Sequence, residues 1–206
     1  DTVRGPLSLS LQALGFVPPG EALVRRGARP GDAVFVSGRL GAAAAGLRAF
    51  GAGERRGALV DAFLWPRPRV TLGRALRGLA TAAIDVSDGL LTDLGRVLAA
   101  SGAGASVAAG RLPLAAEAVA ACGEAEARRL ALTGGDDYEL CFTLPRAHLA
   151  ELGPLAARTD CPLRAIGRVT EAPDLTCLLP DGSRWLPAQG GYDHFADDAS
   201  GHDRTR

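Results

Sequence analysis

The chain has 206 residues, with 23 basic and 23 acidic side chains, 47% hydrophobic residues and 5% aromatics. Normal apolar content with balanced charge excludes a largely disordered chain and lacks the basic excess of a general nucleic-acid binder. No apolar run approaches the roughly 18 residues needed to cross a bilayer, and the length suits one or two domains. There is no Met, so the sequence reads as a piece of something longer, and its opening Asp1-Thr2-Val3-Arg4-Gly5 does not have the form of a secretory leader. There is no Lys either, which excludes a Walker-type phosphate loop or lysine catalysis within this segment. Cys122, Cys141, Cys161 and Cys177 form no C-x-x-C pair and have no His cluster nearby. They read as small buried hydrophobes in a reduced, cytosolic setting rather than as a zinc site or a disulfide framework.

In chain order, Leu7, Leu9, Leu11 and Ala13 alternate with polar residues and predict a half-buried strand. Pro18-Pro19-Gly20 breaks the chain, Glu21 to Gly27 reads as a short helical turn, and Arg29-Pro30-Gly31-Asp32 as a turn before a strand at Ala33 to Val36. This Pro/Gly cluster is the predicted domain boundary. Leu40 to Phe50 is Ala-rich and helical, ending at Gly51 to Gly53, and Trp65-Pro66-Arg67-Pro68-Arg69 is stiff and extended. Leu72, Leu76, Leu79 and Ala80 share a helical face, Ala82 to Val86 is a strand, and Leu90, Leu91, Leu94, Val97 and Leu98 give the clearest amphipathic helix. Next come a strand at Ala105 to Ala108, two helices between Leu114 and Leu132, and a strand at Tyr138 to Leu144. A helix from Arg146 to Arg158 and strands near Leu163 to Val169 and Leu175 to Leu179 complete the pattern, with Ala196 to Arg206 as a tail. Interleaved strands and helices with neighbouring strands predict an α/β fold with α+β layers.

Four segments could carry chemistry. Asp85-Val86-Ser87-Asp88-Gly89 joins a strand to a helix, where backbone N–H groups and the helix dipole suit phosphate and carboxylates suit a hard cation. Ser87 or Asp88 could equally be an ordinary helix cap, which leaves Asp85 unexplained. Thr133-Gly134-Gly135-Asp136-Asp137-Tyr138-Glu139 combines paired glycines with three acids, and by itself reads as a solvated Gly-Asp turn. Arg25 and Arg26 could reach a phosphate or simply end a helix. Tyr192, among glycines and beside His194, could stack on a ligand or anchor the terminus. Oxygen ligands, arginine and glycine without lysine suit magnesium-assisted phosphate chemistry, and no Gly-x-Ser-x-Gly elbow supports a serine hydrolase.

Taken together, six stretches in order resemble the thiamine-monophosphate kinase family of the aminoimidazole-ribonucleotide-synthetase-like superfamily. They are Asp1-Thr2-Val3-Arg4-Gly5-Pro6-Leu7-Ser8, Gly27-Ala28-Arg29-Pro30-Gly31-Asp32, Pro66-Arg67-Pro68-Arg69, Ala83-Ile84-Asp85-Val86-Ser87-Asp88-Gly89-Leu90, Gly134-Gly135-Asp136-Asp137-Tyr138-Glu139-Leu140 and Gly191-Tyr192-Asp193-His194-Phe195. The resemblance implies a PurM-like two-domain α/β architecture with the N-terminal domain largely missing. Residues 1–29 would be a remnant of the ATP- and magnesium-binding domain, 30–195 a complete C-terminal domain and 196–206 a flexible tail.

It also implies transfer of the γ-phosphoryl group of ATP onto thiamine monophosphate, in a cytoplasmic, magnesium-dependent homodimer without nucleic-acid or membrane partners. By resemblance, Asp1, Asp85 and Asp88 would hold Mg2+, while Asp1, Arg25 and Ser87 would contact ATP. Asp136, where the family more often has Glu, and Tyr192 would contact the thiamine substrate. No general base is assigned. The chain alone is expected to be weak or inactive. Two alternatives stay open: another synthetase of the superfamily, of the aminoimidazole ribonucleotide or selenophosphate type, or a non-catalytic binding module.

Overall fold

The computed structural model describes residues 10–185. Its centre is one six-stranded sheet in the spatial order β2-β4-β1-β5-β3-β6. The strands are β1 (Ala33–Ser37), β2 (Ala82–Asp85), β3 (Gly104–Ala108), β4 (Leu140–Leu144), β5 (Leu163–Thr170) and β6 (Leu175–Leu178). All neighbours run antiparallel except β3 and β6. Arg29-Pro30-Gly31-Asp32 feeds β1 through a tight turn, in which the Asp32 N–H donates to the Arg29 carbonyl at 3.0 Å. Pro30 fixes its own φ, and Gly31 takes φ 94°, the positive value this turn demands after proline.

Period-two patterning divides the core into two layers. Val34, Val36, Ala82, Ile84 and Cys141 face one side and pack under α4 (Leu90–Ser101), whose Leu90, Leu94, Val97 and Leu98 are buried there. Phe35, Ala83, Phe142 and Leu144 face the other side, against Leu72 and Leu76 from α3 (Val70–Ala75) and its following turn and Leu152 and Leu155 of α7 (Leu152–Thr159). Phe35 and Phe142, opposite each other in the β1–β4 register, stack with ring centroids 5.5 Å apart. A satellite core joins α1 (Ala42–Gly51), α5 (Ala116–Cys122) and α6 (Glu124–Thr133), with Leu59 of α2 (Ala58–Leu64) against it. Gly46 makes the α1–α2 contact possible, since a Cβ there would lie 1.9 Å from the Leu59 carbonyl oxygen.

Several expectations are corrected. Residues 10–13 form no strand, and Leu11 is 97% exposed, because no neighbouring strand is present to take up the backbone groups of this segment among the described residues; Leu7 and Leu9 lie outside them. Glu21 to Gly27 is not helical; it runs extended beside β2, with the Ala83 N–H donating to the Val24 carbonyl at 3.0 Å. The expected helix at Arg146 to Arg158 divides into a 3₁₀ segment, Arg146–Glu151, and α7, and the strand expected from Tyr138 begins at Leu140. α2 went unforeseen. The cysteines are free thiols, with Cys141, Cys161 and Cys177 buried, and burial pushes the Cys141 thiol up to about 12. Among the described residues, no helix is long and apolar enough to cross a membrane.

Candidate functional site

The register of β2 against β4 places Asp85 opposite Leu140, so the segments leaving these two strands emerge side by side. Backbone hydrogen bonds continue past the ladder. The Val86 N–H donates to the Glu139 carbonyl at 2.8 Å, the Tyr138 N–H to the Val86 carbonyl at 2.9 Å, and the Asp136 N–H to the Ser87 carbonyl at 3.0 Å. Two motifs nearly fifty residues apart thereby become one surface. Glycine is required at the seam: a Cβ on Gly135 would sit 2.2 Å from the Ser87 carbonyl oxygen, and one on Gly89 would sit 2.8 Å from that of Thr133. Asp136 and Tyr138 adopt φ values of 66° and 48°, a left-handed conformation that L side chains resist and that tertiary bonds must enforce.

The acids of these motifs have different tasks. Asp85 is exposed at the end of β2. Together with Arg25 and Arg26 it lines a cleft of about 1160 Å³ whose walls include Phe16, Leu23, Val70 and Arg74. The N-cap of α4 is Gly89, which offers no side chain, so neither Ser87 nor Asp88 is an ordinary cap. The Ser87 and Asp88 N–H groups are not open to a phosphate either, because both donate to Asp93 Oδ2 at 2.9 Å. Asp88 Oδ2 pairs with Arg96 Nη1 at 2.5 Å, and the same nitrogen lies 2.7 Å from Asp93 Oδ1. Burial pushes the Asp93 carboxyl up from its ordinary value, against the opposing pull of the two N–H groups and Arg96.

In the second motif the solvated-turn reading fails. Asp137 accepts the Gly41 N–H at 2.7 Å and the Ala43 N–H at 3.2 Å, closing the start of α1. Its burial, opposed by those bonds and reinforced by Glu139 and Asp136, pushes its carboxyl up to about 7. Glu139 is buried and receives Arg69 through two nitrogens at 2.7 and 2.5 Å, with the Ser37 hydroxyl donating at 2.5 Å. Arg69, from the Pro-rich stretch, is thus a structural partner of the Gly-Gly-Asp-Asp-Tyr-Glu segment. Tyr138 is 40% exposed, and its hydroxyl is held above its ordinary pKa by desolvation and then by the Asp136, Asp85 and Asp88 carboxylates around it.

Of the sequence-predicted site residues, Ser87, Asp88 and Asp136 lie on the joined loops, and Asp85 links them to the cleft that holds Arg25. Asp1 and Tyr192, and His194 with them, lie outside the described residues. Asp85, Asp88 and Asp136 are oxygen donors of the kind a hard cation takes. Among the described residues no three His, Cys, Asp or Glu side chains form a metal-holding group, so a complete shell needs further ligands. The donor type fits Mg2+, and the set shown is partial. Asp93, Arg96 and Ser37 lie outside the segments singled out in the sequence, whereas Asp137 and Glu139 lie inside the second of them and build the site instead of a solvated turn. Asp93 had a signal in the sequence: it falls three residues after Leu90, on the apolar face of its helix.

A mixed sheet flanked by helices, carrying an acidic and glycine-lined loop pair at one end, is the architecture of a known class. Residues 29–179 match the family described as AIR synthase related protein, C-terminal domain, and the chain belongs to that family. More particularly, it is 43% identical over 206 residues to a thiamine-monophosphate kinase of Escherichia coli strain K12, an alignment taking in 95% of this chain and 62% of the relative. It therefore spans less than two thirds of the length of the curated relatives it matches. The crystal structure of thiamine-monophosphate kinase from Stenotrophomonas maltophilia K279a superposes with a TM-score of 0.74 at 42% identity, over 82% of this chain and 56% of that one. A solved structure described as AaThiL complexed with AMPPCP and TMP gives a TM-score of 0.71 at 31% identity, over 84% and 54%.

Proposed function

We propose that this chain contributes the C-terminal part of an ATP-dependent kinase that converts thiamine monophosphate to thiamine diphosphate. In this reading residues 1–29 belong to an N-terminal nucleotide- and metal-binding domain, 30–195 form the C-terminal domain and 196–206 a tail, and the enzyme works as a cytoplasmic homodimer. The observation that carries the reading is the backbone-laced junction of Asp85–Gly89 with Gly134–Glu139 beside the cleft that holds Arg25. The relative complexed with AMPPCP, an ATP analogue, and TMP supports the choice of both substrates.

The reaction breaks the bond between the β-phosphate and the γ-phosphoryl group of ATP and forms an anhydride bond to a phosphate oxygen of thiamine monophosphate. That acceptor oxygen is already anionic, so no residue need remove a proton. What the protein must supply is alignment and neutralisation of charge. Arg25 serves as a fixed positive group for the nucleotide phosphates. Ser87 lends a hydroxyl to ATP, and Asp136 and Tyr192 hold the thiamine moiety. Asp136 sits where Glu is more usual, and its left-handed backbone sets the direction of the shorter side chain. Asp1, Asp85 and Asp88 would hold Mg2+, which supplies the positive charge that lets carboxylates face phosphates.

The decisive assay follows thiamine diphosphate formation from thiamine monophosphate and Mg-ATP, using the chain alone and the chain extended at its N-terminus with the corresponding segment of the Escherichia coli relative. Product from the extended form and little from the chain alone is expected. A folded extended form that binds AMPPCP yet gives no thiamine diphosphate would overturn the substrate assignment.

A further inference from the structure

We propose that Asp93 and Arg96 are positioning residues that lock the Ser87–Asp88 corner of the site, Asp93 through the backbone and Arg96 through the Asp88 carboxylate. The functional part of this inference rests on the reading above, in which Ser87 meets ATP and Asp88 a cation.

Asp93 is fully buried although it is an acid on the apolar face of α4, beside Leu90, Leu94 and Val97. A buried carboxylate is disfavoured unless its oxygens are fully engaged. Here Oδ2 takes the N–H groups of two consecutive residues, Ser87 and Asp88, both at 2.9 Å. Oδ1 takes Arg96 at 2.7 Å. Ending a helix does not require this. A first-turn side chain that caps a helix reaches back to the N-cap N–H, here Gly89, whereas Asp93 passes Gly89 and takes the N–H groups of the two loop residues before it. Ser87 and Asp88 are only half-buried, so water could have served their N–H groups. The arrangement adds fixed geometry.

Arg96 extends that geometry to the rim. One nitrogen, Nη1, touches both Asp93 Oδ1 and Asp88 Oδ2, so the distance between an immobile carboxylate and the one offered to the site is set by a single atom. Its length suits a lysine ammonium as well as a guanidinium, because the bridge uses one donor atom rather than the planar fork. Opposite charges held in contact also moderate the repulsion among Asp85, Asp88 and Asp136 around Tyr138. Positional errors of about 1 Å at such a corner reduce turnover by about a hundredfold in other enzymes.

The first test is amide hydrogen exchange on this chain. Asp93→Ala should speed exchange at the Ser87 and Asp88 amides by about tenfold or more, while α7 amides keep their rates. Asp93→Asn, which keeps the volume but turns a donor toward Arg96, is the variant to use if the alanine form does not fold. Unchanged exchange at both amides overturns the clamp, whatever reaction the protein performs. The second test uses the extended, product-forming chain. Arg96→Met should lower kcat by about tenfold or more and move KM for ATP by less than about threefold, and Arg96→Lys should restore most of the loss. Wild-type kcat in the Met variant overturns the proposal, as does a loss that Lys fails to rescue and that tracks a fall in Tm. If the unsubstituted extended chain forms no thiamine diphosphate, the functional reading fails separately and the exchange data alone judge the clamp.

Discussion

At the scale of single residues, the site depends on groups held in states their chemistry disfavours. Asp137 is the clearest. Its carboxyl titrates at about 7 against an ordinary 3.8, so the stability it contributes is complete below its unfolded value and is lost as pH rises through the folded one. Asp137→Asn removes this titration. The Tm of the Asn variant relative to the unsubstituted chain should therefore rise between about pH 4 and about pH 8, and a constant difference would show that burial does not govern this carboxyl. Gly135 offers a steric counterpart. Gly135→Ala puts a methyl group 2.2 Å from the Ser87 carbonyl oxygen, which is backbone and cannot swing aside. The expected loss is about 1–3 kcal/mol in denaturant unfolding, accompanied by changed shifts at Ser87. Neither effect was legible in the sequence. Gly134-Gly135 announces only backbone freedom, and which carbonyl approaches is decided by a strand pairing elsewhere.

Between elements, the buried ion pair of Arg69 with Glu139 ties the Pro-rich stretch before α3 to the start of β4. Breaking one side leaves a charge stranded at a site only 7% exposed, so Arg69→Met should cost about 3–5 kcal/mol. The double variant Arg69→Met with Glu139→Gln should recover much of that in equilibrium unfolding, and strictly additive losses would contradict the coupling. Element identity was readable where burial alone dictates it: the alternation through Phe142 and Leu144 and the stripe of Leu90, Leu94 and Val97 both appear as expected. The same alternation misled at Leu11 and Ala13, since a strand also needs a partner for its N–H and C=O groups. α2 was not among the expected elements, and no side-chain cap marks its start at Gly57. The Asp85 and Gly-Gly motifs were visible as strings, but their meeting follows from the Asp85–Leu140 register, which no string contains.

For the whole molecule, the two sheet faces are well covered while Leu11, Leu14 and Phe16 stand 97%, 89% and 109% exposed. Large apolar side chains exposed along one short segment favour association. Replacing the three with Ser should lower the concentration dependence of light scattering and leave the unfolding free energy within about 1 kcal/mol of the unsubstituted chain; scattering that persists unchanged would place the sticky surface elsewhere. β2 lies at the edge of the sheet with the Arg25 segment laid along it, joined to β2 by the Ala83–Val24 hydrogen bond and to the end of α4 by the Gly27 and Ala28 N–H groups, which donate to the Ser101 hydroxyl. The strand that ends in Asp85 belongs to the sheet, whereas Arg25, on the same cleft, arrives on a segment outside any helix or strand that is pinned on either side, by Leu23 against the Phe35–Phe142 layer and by Ala28 in the layer under α4. Only the few residues between those two anchors are free to move, so the arginine can shift within the cleft while both core layers keep their packing. Trypsin should register this directly by cutting at Arg25 or Arg26 long before any arginine of α7, with AMPPCP slowing the cut.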